Sequence, residues 1–227
     1  MTTTRLGELA SPALAGCRPV LVLPLGSCEQ HGSHLPLGTD TFIAAALARR
    51  LAERVSGILV APPVGVSASG EHAGFPGTLS IGTDVTAAVL VEIARSAGWA
   101  TGMVIVNGHG GNVEAVERAV ATIRGEGRNV LAWWPRVPGG DAHAGRTETS
   151  LMLAIEPALV DVRGAVPGEL RPLAEITAEL RTKGVRGISP SGVLGDPTDA
   201  TLEHGRDLLD ILTDDLVTAV DEARRSW

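Results

Sequence analysis

One stretch near the start of the chain concentrates side chains that can bind a metal ion. Residues 21–40, LVLPLGSCEQHGSHLPLGTD, begin as an apolar run and then place Glu29, His31, His34 and Asp40 within twelve positions. Glu29 and His31 lie two positions apart, so in an extended segment their side chains point to the same side. Carboxylates and imidazoles are ligands of divalent zinc, iron or manganese. The alternative is an exposed polar loop in which Asp40 only N-caps the helix that follows.

Strand and helix patterns alternate along the rest of the chain. Short apolar runs predict four strands, at Pro19–Leu25, Gly57–Ala61, Gly102–Val106 and Asn129–Trp133. Apolar residues at helical spacing predict five helices, at residues 41–55, 84–97, 112–124, near 149–155 and 201–225. Strand followed by helix, four times over, predicts an α/β fold with a three-layer architecture, in which helices cover both faces of a mostly parallel central sheet. At 227 residues we expect a single domain over residues 1–227.

Histidines occur in each of the four predicted strand-to-helix loops. Five of the six histidines lie there, at His31, His34, His72, His109 and His143. Acidic residues accompany them, at Glu29, Asp40, Glu71, Asp141 and Glu148. In open α/β sheets, ligands bind beyond the carboxyl ends of the strands. A single loop histidine is most often solvated, but four loops that meet at one edge of one sheet predict a metal site.

The composition excludes several kinds of partner. The net charge of −7 argues against nucleic acid or anionic lipid, and a chain with no tyrosine, two phenylalanines and four tryptophans is a poor platform for stacking bases. Two cysteines do not make a disulfide framework, which favours a reducing compartment. The chain has no apolar run of membrane-spanning length and no signal-peptide core. We therefore expect a cytoplasmic protein with no nucleic-acid partner and no membrane association.

Four segments together resemble a known family. GSCEQHGSHLPLGTD, GEHAGFPGTLS, NGHGGN and HAGRTETS are similar, in that order, to the four signatures of the creatininase family of metal-dependent amidohydrolases. The resemblance covers nearly the whole chain. It implies two divalent metal ions per subunit, either Fe(II), Zn(II) or Mn(II), and a homo-oligomer that in this family is usually a hexamer. The substrate it implies is a peptide or a small amide.

The C-terminal third resembles one branch of that family. The segment PLAEITAELRTKGVRGISPSGVLGDPT is similar to the branch of peptidases that act in mycofactocin maturation. The resemblance implies release of a short modified C-terminal dipeptide from a ribosomally made precursor. Two alternatives remain open. One is a cyclic amidohydrolase or deformylase that acts on a small molecule, and the other is a catalytically silent metal-binding subunit.

The resemblance also implies roles for individual residues. It makes Glu29 a terminal ligand of one metal, His31 a ligand of the other, Asp40 the carboxylate that bridges them, and His109 a further imidazole ligand. A carboxylate suits the bridging role because its two oxygens can each bind a different cation.

One position departs from the family pattern. Creatininase carries a glutamate ligand two residues beyond the histidine of the third motif, where this chain has Gly111. We expect Glu148 to supply the missing carboxylate, since similar HAGxxE motifs place their glutamate at the metals. The alternative is that Glu148 only complements the dipole at a helix N-terminus.

The remaining loop residues are assigned to catalysis and to the pocket. The resemblance makes His143 a catalytic group, which could polarise the attacked carbonyl or give a proton to the leaving nitrogen. A structural, hydrogen-bonded histidine is the alternative. Glu71 and His72 are expected to contact substrate or to support the metal ligands.

Overall fold

Four parallel strands form the centre of the protein. The computed structural model describes residues 3–227, and its sheet has the strand order β2-β1-β3-β4 with every pairing parallel. The strands span Val20–Leu25 (β1), Ile58–Val60 (β2), Gly102–Asn107 (β3) and Val130–Trp133 (β4). Each of the four predicted strands is therefore present, within two residues of its expected ends.

Six helices surround the sheet. They span Thr39–Arg54 (α1), Gly82–Ser96 (α2), Val113–Gly125 (α3), Arg146–Ile155 (α4), Leu173–Lys183 (α5) and Leu202–Arg224 (α6). Five correspond to predicted helices, and α5 was not predicted. Only Ile176 is buried on α5, so the segment lacks the apolar stripe that identifies a helix in a sequence. None of the helices in residues 3–227 is both long and apolar enough to cross a bilayer.

Alternate residues of β1 face two separate apolar layers. Val20 and Val22 pack in one cluster with residues of α1, α4 and α6. Leu21 and Leu23 pack in a second cluster with residues of α2 and α3. This alternation follows from the two-residue period of a strand that is covered on both faces. The predicted three-layer α/β architecture is confirmed.

The polar loops meet at the carboxyl edge of this sheet. Leu25 of β1 pairs with Asn107 of β3 at the last rung, and the chain leaves both strands there. Helix α1 begins at Thr39, so Asp40 lies inside its first turn, and no side-chain capping bond is made at that end. The interpretation of Asp40 as a simple N-cap is therefore wrong, and its side chain is available for other contacts.

Helices α4 and α6 make a very close contact that fixes the position of α4. A Cβ atom added to Gly205 of α6 would lie 1.8 Å from the carbonyl oxygen of Ser150 in α4. Because that oxygen belongs to a helix backbone, neither partner can turn away. The Gly205→Ala variant is expected to lower the free energy of unfolding by about 1–3 kcal/mol or more, the usual effect of overpacking.

Urea unfolding of this variant and of Gly125→Ala tests the expectation. Gly125 ends α3 and has no atom within 4 Å of an added Cβ, so alanine there should be neutral or slightly stabilising. Equal stability of the two variants would contradict the close contact between α4 and α6.

Candidate metal centre

Asp40 lies between two imidazoles. Its Oδ1 is 3.1 Å from Nε2 of His31, and its Oδ2 is 3.0 Å from Nδ1 of His109. The hydroxyl of Ser27 donates a hydrogen bond of 2.7 Å to Oδ2. Asp40 is only 1% exposed, and carboxylate oxygens of Glu29 and Glu148 also lie within 4.8 Å of its carboxylate. Each oxygen faces a different imidazole, which is the arrangement that a carboxylate between two cations requires.

Glu29 is fully buried without a hydrogen-bond donor. Neither of its carboxylate oxygens accepts a hydrogen bond from residues 3–227. The nearest polar groups are ring nitrogens, at 3.1 Å (Nε2 of His109), 3.3 Å (Nε2 of His72) and 3.8 Å (Nδ1 of His143). A buried carboxylate is unfavourable unless it is paired or binds a metal. This environment therefore suits a cation beside Glu29.

Glu148 approaches His31 from the first turn of α4. Its Oε2 lies 3.7 Å from Nε2 of His31 and accepts a 2.6 Å hydrogen bond from the backbone N–H of Ala144. Ala144 is buried with a φ of 52°, a conformation that costs a non-glycine residue roughly 1 kcal/mol or more. The backbone before α4 thus directs an N–H at Glu148. The structure supports both interpretations of Glu148, since it faces a potential ligand and also binds backbone at a helix N-terminus.

A backbone contact orients His31. Its Nδ1 lies 3.1 Å from the carbonyl oxygen of Glu29, to which it donates when protonated there. The other nitrogen, Nε2, then presents its lone pair toward Asp40 and Glu148. Histidine ligands of metals commonly have such a hydrogen bond on the second nitrogen.

The side chains form three overlapping groups, each with ligand atoms within 4.8 Å of one another. The groups are Glu29 with Asp40 and His109, His31 with Asp40 and Glu148, and Glu29 with His31 and His143. The first two groups have Asp40 in common. The donor set of carboxylates and imidazoles therefore fits two neighbouring divalent ions.

The carboxylates dominate the electrostatics of the centre. Burial lowers the pKa of His31, but Asp40, Glu148 and Glu29 outweigh burial and raise it to about 9. Burial also lowers the pKa of His109, but Glu29 and Asp40 outweigh burial and hold this pKa well above the usual value. Burial raises the pKa of Glu148, His31 lowers it, and the negative charges of Asp40 and Glu29 raise it further, to about 7. In the metal-free protein, His31 and His109 therefore carry protons whose positive charge compensates the buried carboxylates. A bound metal ion would supply this positive charge in their place.

His143 has the opposite character. Burial, followed by the charges of His31 and His72, holds the pKa of His143 well below its usual value. Its ring centroid lies 4.3 Å from that of His31 and 4.6 Å from that of His72. His143 is therefore a neutral imidazole beside the charged His31, which suits a group that exchanges a proton during a reaction.

Glu71 explains the glycine at position 111. Its Oε1 lies 3.4 Å from Nε2 of His109. A Cβ added to Gly111 would lie 2.1 Å from this oxygen and 2.4 Å from the same nitrogen of His109. The volume beside His109 that a side chain at position 111 would need is therefore occupied by the Glu71 carboxylate.

The structure brings all eight predicted site residues into one cluster. They are Glu29, His31, Asp40, Glu71, His72, His109, His143 and Glu148. Two other loop residues have supporting positions. Asp141 accepts hydrogen bonds from the backbone of Arg146 and Thr147 and so caps α4, and His34 bonds to the hydroxyl of Thr149 at 2.9 Å.

Sequence reasoning missed two buried residues in the cluster. Ser27 binds Asp40, and the amide of Gln30 contacts both His72 and His143. Ser27 lies two positions before Glu29, a spacing that places the two on one side of an extended segment. No sequence signal distinguishes Gln30, because an amide is neither a typical metal ligand nor an acid or base.

A cavity of about 930 Å³ opens beside the cluster. His109 and Glu148 lie on its inner wall, and Leu170 and Leu173 line its outer part. Arg146 also lines it, exposed and with no ion pair within residues 3–227. The cavity is near the upper end of the usual range for ligand sites.

The chain is similar to known proteins over most of its length. The family profile described as creatinine amidohydrolase matches residues 7–220. A mycofactocin precursor peptide peptidase of Mycobacterium ulcerans is 48% identical over 226 residues, covering 95% of this chain and 90% of that protein. The protein of the same name from Mycolicibacterium smegmatis is 51% identical over 207 residues, covering 88% and 83%.

Solved structures share the fold. A creatininase variant described as Type II superposes with a TM-score of 0.80 at 26% identity, covering 97% of this chain and 98% of that one. A creatininase described as Zn-Zn type and one described as an Mn form have TM-scores of 0.76 and 0.77 at 28% and 27% identity, each with the same two coverages. Because the profile, the curated relatives and the shared fold all extend over most of its length, the chain belongs to the creatininase family.

Proposed function

We propose that this protein is a dinuclear-metal amide hydrolase that releases a short C-terminal fragment from a mycofactocin precursor peptide. The observation that carries the proposal is the placement of Asp40 in two ligand groups at once. A shared carboxylate is what a pair of catalytic cations needs and what a single structural ion does not.

The proposed ligands divide between the two ions. Glu29 and His109 would bind one ion, His31 and Glu148 the other, and Asp40 both. The two unpartnered oxygens of Glu29 support this assignment. When bound, the ions would polarise an amide carbonyl and lower the pKa of a water molecule. Carboxylates and imidazoles suit Zn(II), Mn(II) and Fe(II) alike, and the related structures described by zinc and manganese support the first two.

His143 is the proposed catalytic proton carrier. It is neutral, and its Nδ1 faces the carboxylate of Glu29 at 3.8 Å. A neutral imidazole in this position takes up a proton as the amide is attacked and delivers it to the leaving nitrogen. Glu71 and His72 have supporting roles, because each contacts a proposed ligand, Glu71 through His109 and His72 through Glu29.

The cavity and the relatives support a peptide substrate. Two relatives with about half of their residues in common with this chain are named for the precursor peptide. The cavity beside Glu148 is lined by apolar groups, by acidic residues such as Asp196 and Asp199, and by Arg146, which has no ion pair within residues 3–227. Arg146 provides a cation for the terminal carboxylate of a peptide.

The proposal also covers assembly and location. The family resemblance supports a homo-oligomer, specifically a hexamer. The two cysteines, Cys17 and Cys28, are not bonded to each other, which is in keeping with a cytoplasmic protein.

The metal assignment predicts different outcomes for three variants. Asp40→Asn should release at least one ion, because it removes negative charge from between two cations. Glu148→Gln should also lose an ion. His143→Ala should keep both ions and slow turnover by roughly 10²–10⁴-fold. Elemental analysis and rates, measured on the same preparations, test all three.

Two results would revise this assignment. If Glu148→Gln keeps its full metal content and loses only about 0.3–1 kcal/mol of stability, Glu148 is a helix-terminus residue. If His143→Ala loses an ion, His143 is a ligand through its group with Glu29 and His31.

Metal affinity is expected to weaken as the pH falls. The pKa of His31 in the metal-free protein is about 9, and that of His109 is also raised, so both bind protons at neutral pH. A metal must displace these protons, and each one released makes the dissociation constant rise about tenfold per pH unit below the pKa. Calorimetric titration with zinc in buffers of different ionisation enthalpy should detect proton release at pH 7. Affinity that does not change between pH 6 and 8 would contradict this.

Cleavage of the modified precursor peptide tests the proposed function directly. Protein loaded with zinc or manganese should release a C-terminal fragment that mass spectrometry detects. The Asp40→Asn variant, purified in the same way, controls for contaminating peptidases. Creatinine in a parallel reaction tests the small-molecule alternative. Hydrolysis of creatinine without cleavage of the peptide would reject the peptide as substrate, and no hydrolysis of either with both ions bound would favour the silent subunit.

A further inference from the structure

Gln30 has an unusual number of polar contacts for an amide at the centre of a metal cluster. It is 5% exposed and lies between two proposed site residues, Glu29 and His31. Its Nε2 is 2.9 Å from Nδ1 of His72, 3.0 Å from Nε2 of His143 and 3.0 Å from the carbonyl oxygen of Gly192. Three potential acceptors therefore surround an NH₂ group that has two protons to donate.

Two observations fix the orientation of this amide. The backbone N–H of Gly32 donates a 3.0 Å hydrogen bond to Oε1 of Gln30, so the oxygen is turned away from the histidines. A Cβ added to Gly192 would lie 1.8 Å from the same oxygen, so the amide is packed directly against this glycine. The NH₂ group must then face His72, His143 and the Gly192 carbonyl.

Counting donors and acceptors leaves one consistent arrangement. Nε2 of His143 is also 2.9 Å from the backbone carbonyl oxygen of Gln30. If His143 has its proton on Nε2, it donates to this carbonyl, and the two amide protons go to His72 and Gly192. If Nε2 of His143 instead accepts from the amide, either His72 or Gly192 loses its donor, and the Gln30 carbonyl loses one too. Buried polar groups are rarely left unpaired, so the first arrangement holds.

We propose that Gln30 is a positioning residue that fixes the ring tautomers of His72 and His143, with the proton of each on Nε2. His72 then accepts at Nδ1 and directs its Nε2–H toward Oε1 of Glu29, 3.3 Å away. His143 donates at Nε2 and presents the lone pair of Nδ1 to the metal centre.

The consequence for the reaction rests on the proposed function. His143 begins the cycle as a proton acceptor, because its only proton is held by the backbone of Gln30. His72 turns the N–H edge of its ring toward Glu29, so the carboxylate of this proposed ligand faces a proton there and not a lone pair. The Gln30 amide thus gives two imidazoles opposite roles beside Glu29. His72 presents an N–H group, and His143 presents a lone pair.

The tautomers can be read without substrate. In zinc-loaded protein labelled with ¹⁵N at histidine, long-range proton–nitrogen spectra identify which ring nitrogen bears the proton. Both His72 and His143 should show the Nε2–H pattern. A proton on Nδ1 of either ring would overturn the proposal. This result is independent of the peptide assay, so a failed cleavage test would reject the proposed function and leave the tautomers in place.

Two variants test the role of the side chain. Gln30→Glu keeps the shape of the residue but replaces both donors with an acceptor, so a proton should appear on Nδ1 of His72. Gly192→Ala leaves Gln30 intact but displaces its amide, and should disturb the same signal. Each should lower kcat about 10–100-fold, the usual effect of residues that support metal ligands, with little change in KM.

The matched control for the second variant is Gly127→Ala. Gly127 has a φ of 72°, close to the 82° of Gly192, but an added Cβ would have no atom within 4 Å. It imposes the same backbone strain without touching Gln30, so its histidine spectrum should match that of the parent. A His72 pattern that is unchanged in both Gln30→Glu and Gly192→Ala, in folded protein with both ions bound, would show that Gln30 does not set the tautomer.

Discussion

Burial of negative charge is the constraint on which the site depends. Glu29 and Asp40 are almost completely removed from water, and an uncompensated carboxylate in that environment is strongly unfavourable. Asp40 is compensated by Ser27 and two imidazoles, whereas Glu29 has only ring nitrogens around it. The loops from all four strands must therefore supply histidines to one edge of the sheet. The apolar layers on both faces remain free of charge as a result.

Most of the fold could be predicted because it rests on local pattern. Strand β1 is a continuous apolar run between two covered faces, and α6 has Leu209, Leu212, Leu216 and Val220 buried along one side. Helix α5 could not be found in this way. It packs through Ile176 in a small cluster with Val185, Leu194 and the partly buried Phe75. Phe75 is distant in sequence, so this contact exists only in the folded protein.

The residues that make up the site could be predicted from the sequence, but the contacts between their individual atoms could not. Each loop histidine follows a strand, and the topology of a parallel sheet brings strand ends together. Which nitrogen faces which oxygen depends on side-chain torsions and on backbone contacts such as that of Ala144 with Glu148. Gln30 shows the limit most clearly. Its importance comes from polar groups at positions 72, 143 and 192 that meet around one amide, and no local sequence pattern reports that they meet.

The shared volume of Glu71 and Gly111 bears on how members of this family diverge. The family resemblance implies a glutamate in creatininase at the position of Gly111, and here a side chain at this position would meet the carboxylate of Glu71. It would also force the His109 ring and the Ala68 carbonyl to shift, since they would lie 2.4 and 2.7 Å from the new Cβ. Position 111 is therefore epistatic to three neighbours. Shortening Glu71 alone would leave the contacts with His109 and Ala68, so a larger residue at position 111 is accessible only through several coupled changes.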